Sequence, residues 1–351
     1  MTYSPRTTDT SSRHRKPWPL MRRFGEFATL AQRRFCCALA LFALFGSCHS
    51  EELVLAVARA TMSLPFYIAD SQGYFAAEGV NVRTQECTAG QHCLKLLFEG
   101  KAQLATAADI PVVFNSFERN DYAILATFVS SSRDVKLVTR KSAGITQAKQ
   151  LEGKRVAVVK GTSAHYFLDS SLILNDVDVK KVTVVSLQPD QMVAALERQE
   201  VDAVAIWEPF AYLAMKALGA DGTIFPSPRI YTETFNLIAQ RHTIAAREGD
   251  LVKVLRALER SQQFIRERPK QAQDILLEKL KLDQGFVEWG WSDFDYRMSL
   301  DQSLVTTLEG EARWATREGH VAAGSRIANF LDLVHSAPLR QTVPGAVTLV
   351  K

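Results

Sequence analysis

The residues best suited to chemistry lie at one junction. In "VAVVKGTSAHYFL", residues 156–168, an apolar strand pattern gives way to a helical one at Gly161-Thr162-Ser163. A helix start exposes unpaired backbone N–H groups and the positive end of the dipole, worth ~0.3–1 kcal/mol to an anionic oxygen at an exposed site. Gly161 lets a ligand approach the main chain, and the Thr162 and Ser163 hydroxyls add donors. The competing reading is an N-cap, in which the hydroxyls serve only the helix. The turn follows the carboxyl end of a strand, where open α/β sheets bind ligands, so we read Thr162 and Ser163 as ligand contacts. His165 and Tyr166 follow in the first helical turn. Either could face the same cleft or pack on the sheet, and a histidine there could titrate near neutral pH.

A second strand ends in "IWEPF", Ile206 to Phe210. Trp207 could stack on a planar ligand, and Glu208 could accept from an ammonium or ring N–H group. An unpaired carboxylate beside the ligand would oppose a simple anion and favour a cationic, zwitterionic or neutral hydrogen-bonding one. The alternative is that Trp207 fills a core and Glu208 braces a hinge. The opposing jaw draws on Ser63 and Phe66 in "ATMSLPFYIA", on Asp109 as a helix N-cap, and on Ser131 and Arg133 in "SSSR". Arg133 is the nearby cation for a carboxylate or sulfonate. "WGWSDFDY", Trp289 to Tyr296, either covers the cleft or anchors the C-terminal helices. The chain has no G-x-S-x-G, H-E-x-x-H, P-loop or spaced metal cluster, and the "GTS" turn lacks a nearby base arranged for nucleophilic attack. No catalytic residue, metal or cofactor is therefore expected.

The elements that must position these residues alternate. "ELVLAVAR", "VNVRTQ", "AQLATAA" and "YAILATFVS" read as strands separated by helices, with Gly73, Gly79 and Gly100 as stops and Pro111 in a first turn. A second such unit starts at "LEGKRVAVV" and runs through "KVTVVSL" and "VDAVAIWEP", after which "FNLIAQ" reads as a strand returning to the first sheet. Amphipathic helices are expected over 243–267, 270–281, 299–318 and 324–334. With 351 residues, 47% hydrophobic and 23% charged, the chain can bury a large core in two lobes. This rhythm predicts parallel sheets covered on both faces.

The formal charge of +4 is uneven: residues 1–48 hold eight Lys/Arg and two acids, leaving 34 basic and 36 acidic residues downstream. No basic stripe points to nucleic acid. The cationic start and the 13-residue apolar run "FCCALALFALFGS" match an export signal, and the run is short against the ~20 residues of a membrane span. The pairs Arg22-Arg23 and Arg33-Arg34 leave a twin-arginine route open, and Met21 is an alternative start. "LFGSC" resembles a lipobox with Phe45 in place of the usual Leu, which makes Cys48 a lipidation candidate. In an oxidising compartment Cys87 and Cys93 of "CTAGQHC" could close a disulfide loop. The alternative is two free thiols; His92 between them lacks the second ligand pair a zinc site needs.

Taken in order, "YFAAEGVNV", "LEGKRVAVVKGTSAHYFL", "VDAVAIWEPF" and the tail "PLRQTVPGAVTLV" resemble the extracytoplasmic solute-binding proteins of ABC importers, in the alkanesulfonate, taurine, nitrate and thiamine-precursor (SsuA/THI5-like, NMT1-like) group. The resemblance covers roughly residues 51 to 345. It implies an α/β, two-lobed periplasmic-binding-protein fold of type II, each lobe a mostly parallel sheet flanked by helices, with a helical C-terminal region. The expected organisation is an export signal over 1–48, of general or lipoprotein type, one lobe from 51–129 plus 236–351, and the other from 130–235. It further implies a monomer in the periplasm or lipid-anchored outside the membrane. A small organic ligand of the sulfonate, nitrate-like, pyrimidine or aromatic carboxylate class would be clamped by hinge closure, and an ABC permease in the inner membrane would be the partner. Two other roles remain open: a ligand-sensing subunit for a membrane signalling protein, and a thiamine-pyrimidine biosynthetic enzyme. The enzymes of that branch carry a cysteine-rich iron motif absent here.

Overall fold

The first strand, β1 (Leu53–Ala58), is apolar over its whole length, as a strand covered on both faces must be. It opens a computed structural model that describes residues 51–225 and 229–350. The expected export signal and Cys48 lie outside the described residues. After β1 come α1 (Leu64–Ser71), α2 (Tyr74–Ala77), β2 (Val82–Cys87), α3 (Gly90–Phe98), β3 (Leu104–Ala108), α4 (Asp109–Ser116) and β4 (Tyr122–Ser131). The second group is β5 (Lys136–Arg140), β6 (Arg155–Val158), α5 (Ser163–Leu174), β7 (Thr183–Ser186), α6 (Pro189–Glu197), β8 (Ala203–Ile206), α7 (Phe210–Leu218) and β9 (Gly222–Ile224). The chain then returns through β10 (Glu233–Gln240) to α8 (Arg241–Glu267), α9 (Pro269–Leu280), α10 (Gly285–Gly290), α11 (Gln302–Arg317) and α12 (Ala337–Thr342).

Two five-stranded sheets result, ordered β2-β1-β3-β10-β4 and β7-β6-β8-β5-β9. In the first, β1 pairs parallel with β2 and β3, while β10 runs antiparallel to β3 and β4. In the second, β6 pairs parallel with β7 and β8, while β5 runs antiparallel to β8 and β9. One strand per sheet is thus reversed, and in each case it is the strand that enters from the other sheet. The return of "FNLIAQ" to the first sheet is β10. The sequence pattern does not foresee β5 or β9, because β5 alternates poorly and β9 is only three residues long.

Leu55, Phe66, Phe128, Leu255 and Leu308 share the core of the first sheet, and Val156, Leu168 and Ala205 belong to a separate core on the second. The chain crosses between the sheets after β4 and again after β9. Beyond β4, the C-terminal chain covers the sheet edge through bridges at Thr127–Ser299, Ser130–Asp295 and Ile124–Val334, which leaves no open strand to pair with another molecule there.

Two local expectations need correction. No helix spans 324–334: Gly324 is left-handed at φ 85°, and Asn329 accepts from the Leu331 amide to cap a short 3-10 turn at Phe330–Leu333. Asp109 is the first residue of α4, not its N-cap; Ala108 holds that position with an extended backbone.

A disulfide joins Cys87 at the end of β2 to Cys93 in α3, with Cα atoms 5.6 Å apart. It ties down the turn 88–90, which leads into α3. Gly90 is required there, since a Cβ would lie 2.8 Å from Ala107 Cα. In the chain-entropy view a loop this short contributes about 2 kcal/mol. Cys87→Ser with Cys93→Ser, or reduction of the native protein, is therefore expected to lower the melting temperature by several degrees in a thermal scan. An unchanged melting point on reduction would show that the pair does not stabilise the fold.

Candidate functional site

Every parallel strand that ends on the gap between the sheets sends a turn into it. A cavity of about 40 Å³ lies there, lined by Arg59, Ala60 and Met62 after β1, Thr88 and Gln91 after β2, Ala108 and Pro111 around the start of α4, Thr162 and Ser163 after β6, and Trp207 after β8. Asp134 from the first crossing segment, and Glu233 and Phe235 from β10, complete the lining. This is the crevice at the carboxyl ends of strands where open α/β sheets bind ligands. Its volume accommodates roughly three water-sized groups, the scale of a ligand head group.

The sequence candidates divide into two sets. Thr162, Ser163 and Trp207 line the cavity, and Gly161 sits at its edge with φ 72°, a left-handed backbone suited to glycine. Its carbonyl accepts from Gln91 Nε2 at 2.7 Å, a hydrogen bond that crosses from the first sheet to the second and closes the mouth. Thr162 occupies the N-cap position of α5, but its hydroxyl donates to Val159 O at 2.6 Å instead of serving the helix. Ser163 Oγ donates to Glu233 Oε1 at 2.5 Å.

The other candidates are placed elsewhere. Glu208 is fully buried, with its carboxylate held by Lys136 Nζ at 2.8 Å, Trp289 Nε1 at 2.6 Å and the Tyr212 amide at 3.1 Å. That is the hinge-brace arrangement, and it gives the "WGWSDFDY" segment an anchoring contact. Burial pushes the Lys136 ammonium down and the Glu208 carboxylate outweighs it, so Lys136 lies above its usual pKa. Ser131 Oγ donates to Asp293 O at 2.6 Å and Arg133 pairs with Asp293 Oδ1 at 3.4 Å, both at the crossing segment and outside the cavity lining. Ser63 Oγ donates to Ala58 O at 2.6 Å, and Phe66 packs edge-on against Phe128 in the core. Asp109 is buried and bridges α4 to β10, accepting from the Ile110 and Thr234 amides at 2.9 Å each. Tyr166 packs on Tyr231 and Trp314. His165 lies against Trp314 and His320; burial pushes it down to about 4, so it is neutral at physiological pH and not the near-neutral switch its position suggested.

Asp134 and Glu233 are absent from the sequence candidates, yet they dominate the site chemically. Both are buried and near enough to share a proton, so the pair behaves like two carboxyls that cannot both ionise. Burial, then Glu208, raises Asp134 to about 7; burial, then Asp134 and Asp109, raises Glu233 well above its usual value. Asp109 is raised to about 7 by burial. Behind them Glu311 of α11 is fully buried, neither of its oxygens has a partner among the described residues, and burial likewise raises it well above the usual range. The signal that could have revealed Asp134 and Glu233 was topological: in a two-lobed chain the crossing segments form the cleft floor, so an acid within them faces the gap.

These shifts set a pH dependence. The four acids titrate near 4 in the unfolded chain; when folded, Asp109 and Asp134 are raised to about 7 and Glu233 and Glu311 are raised well above their usual value, so folding takes up protons above pH ~4. Their stabilisation is complete below the unfolded pKa and is lost as pH rises through the folded one. His165 works in the opposite sense, but only below its unfolded value of 6.5. Above that pH the acids act alone. The melting temperature should therefore fall as pH rises from about 6.5 to 8.5, and Glu311→Gln should flatten the slope; a melting curve that is level or rising in the wild type would contradict the assignment.

Residues 60–272 match the NMT1/THI5-like family. A Bacillus subtilis (strain 168) protein assigned to the binding of aliphatic sulfonates is 26% identical over 229 residues, which cover 64% of this chain and 69% of that one. The taurine-binding periplasmic protein of Escherichia coli (strain K12) is 25% identical over 181 residues, 51% of this chain and 55% of the relative. The alkanesulfonate-binding protein SsuA from Xanthomonas axonopodis pv. citri, bound to MOPS, superposes with a TM-score of 0.72 at 19% identity, covering 82% of this chain and 98% of that one. At that identity the likeness carries the fold, and the two mixed sheets flanked by helices are the periplasmic-binding-protein architecture that the sequence motifs implied.

Proposed function

Because the chain belongs to the NMT1/THI5-like family, we propose that it is the extracytoplasmic substrate-binding component of an ABC importer, and that its ligand is a planar, nitrogen-rich molecule presenting N–H donors or a positive charge. The role rests on the fold and on relatives named as binding proteins. No helix among the described residues is long and apolar enough to cross a membrane, so the permease that receives the ligand is a separate partner.

The ligand class rests on a single observation: two buried carboxyls, Asp134 and Glu233, line the cavity, while of the cations nearby Lys136 is committed to Glu208 and Asp293 and Arg59 reaches the lining from the exposed end of β1, where it donates to Leu280 O. A sulfonate placed there would meet a carboxyl pair that, once one member ionises, carries like charge, at a cost that rises as the local dielectric falls. An amino group or protonated ring nitrogen instead gives the carboxyls charge-assisted hydrogen bonds. Trp207 offers a face for stacking, and the Thr162–Ser163 turn supplies polar contacts to the rest of the molecule. Closure over the ligand uses contacts from both sheets, as Gln91 and Gly161 already meet across the mouth.

A thermal-shift panel tests this. Aminopyrimidines and amidines should stabilise the protein, by about 2.7 kcal/mol at a hundredfold excess over Kd, while taurine, alkanesulfonates and nitrate leave the melting point unchanged. Asp134→Asn and Glu233→Gln should each weaken the best binder by roughly 10- to 100-fold, as expected for loss of a charge-assisted bond. Thr162→Ala with Ser163→Ala should weaken it by less, with little effect on folding. Stabilisation by sulfonates and none by the nitrogenous compounds would overturn the ligand class while leaving the transport role intact.

A further inference from the structure

A second cluster of chemically capable side chains lies behind the ligand turn, on the far side of Gly161. His165 and Asp169 stand four residues apart on α5, hence on one face of the helix. His320 reaches them from the turn that follows α11. One ligand atom from each of the three lies within 4.8 Å of the other two. His320 Nε2 is 3.0 Å from Asp169 Oδ2, and the two imidazole rings are 4.4 Å apart. His165 and Asp169 are 5% and 2% exposed, so this is a built site and not a surface coincidence.

The surroundings are those of a metal centre. Trp314 Nε1 donates to Asp169 Oδ2 at 3.2 Å and fixes the carboxylate, while its indole ring packs against both histidines at 4.7 and 5.5 Å. Outer partners of this kind orient first ligands and exclude solvent. Around a tetrahedral Zn²⁺, bonds of ~2.0–2.2 Å place neighbouring ligand atoms a little over 3 Å apart, which the His320–Asp169 pair at 3.0 Å nearly matches, with the third ligand atom within 4.8 Å of both. On the open side a surface cavity of about 370 Å³, with His320 and Asn115 in its wall, provides an entry path and room for a water as fourth ligand. We propose that His165, Asp169 and His320 bind a divalent first-row transition metal of the zinc type, outside the ligand cavity and independent of the identity of the transported molecule.

The site joins the two halves of the fold. Leu168 and Leu172 of α5 pack in a core of the second sheet, whereas Leu304, Val305 and Leu308 of α11, the helix that leads to His320, pack in the core of the first. A bound metal therefore cross-links the halves and favours the closed cleft. It also touches the ligand turn through proton bookkeeping: the Gly161 amide donates to His165 Nδ1 at 3.3 Å. A metal on Nδ1 replaces that bond, and a metal on Nε2 moves the ring proton to Nδ1, where it opposes the amide. Either mode releases the Gly161 N–H next to the cavity.

The test uses tag-free protein stripped with chelator and titrated with ZnCl₂ by calorimetry, with metal content measured after desalting and the visible spectrum recorded with Co²⁺. We expect one zinc per chain, a tetrahedral Co²⁺ spectrum, and a loss of affinity of at least about tenfold in His320→Gln and in His165→Gln. The exposed His242→Gln serves as control and should bind like the wild type. His320 is partly exposed, so its variant should fold even if His165→Gln does not, and His320→Gln alone decides the outcome. Absence of retained zinc, or equal zinc binding by the wild type and His320→Gln, overturns the proposal and leaves the cluster as a hydrogen-bonded packing contact.

Discussion

The constraint on which this molecule turns is the removal of carboxyl groups from water at the seam between two sheets. Asp109, Asp134, Glu233 and Glu311 are each at least nine-tenths buried, and they lie close enough to raise one another's pKa. Placing several isolated carboxylates at low dielectric is prohibitive, so the group retains protons, shares them, or meets a complementary donor. Backbone amides at Ile110 and Thr234 serve Asp109, and Ser163 serves one oxygen of Glu233. Glu233 Oε2 is buried and receives no donor from the described residues, so the carboxyl's remaining interaction is with the neighbouring Asp134.

A rigid frame surrounds the acids and a movable one faces them. Lys136 stands between Glu208 and Asp293, with Trp289 bonded to the same glutamate, so the first crossing segment is pinned where it enters the second sheet. The disulfide between Cys87 and Cys93 and the close approach of Gly90 to Ala107 fix the turn that carries Gln91. Across the mouth, by contrast, Gln91 reaches the second sheet with side-chain hydrogen bonds to Gly161 O and Lys160 O at 2.7 and 3.2 Å. Two such bonds contribute on the order of 1–3 kcal/mol, enough to bias closure and small enough for a ligand with contacts on both jaws to govern it.

The fold was largely legible because its signals are local. Apolar runs such as "LATAA", glycine stops at Gly73 and Gly79, and the return of "FNLIAQ" each depend on a few adjacent residues. The misses share one cause. At 324–334 an apparent amphipathic period was outweighed by a left-handed glycine and an Asn cap, and β5 and β9 form only because a neighbouring strand offers hydrogen bonds. For the site, reading strand ends found Thr162, Ser163 and Trp207. Glu208 looked equally well placed, but a lysine more than seventy residues earlier in the chain neutralises it, a pairing that no spacing rule reveals. Asp134 adjoins Arg133 in sequence, and only the direction of the chain at the crossing decides which of the two faces the gap. His320 joins His165 and Asp169 from 151 residues beyond Asp169.

Shared architecture then leaves ligand choice to a few side chains. The same fold serves a protein named for alkanesulfonates, and two sequence relatives are named for aliphatic sulfonates and taurine, all of which bear negative groups. A cleft for such anions needs donors around the charged group, because a ligand charge that enters without its hydration shell must be answered by the protein; here Asp134 and Glu233 stand among the donors Arg59, Gln91, Thr162 and Ser163. Protonating one carboxyl of the pair supplies a single donor, and its partner accepts it, so the pair remains an acceptor overall. The proposed ligand class therefore rests on the electrostatics of the crossing segments more than on overall similarity to the relatives.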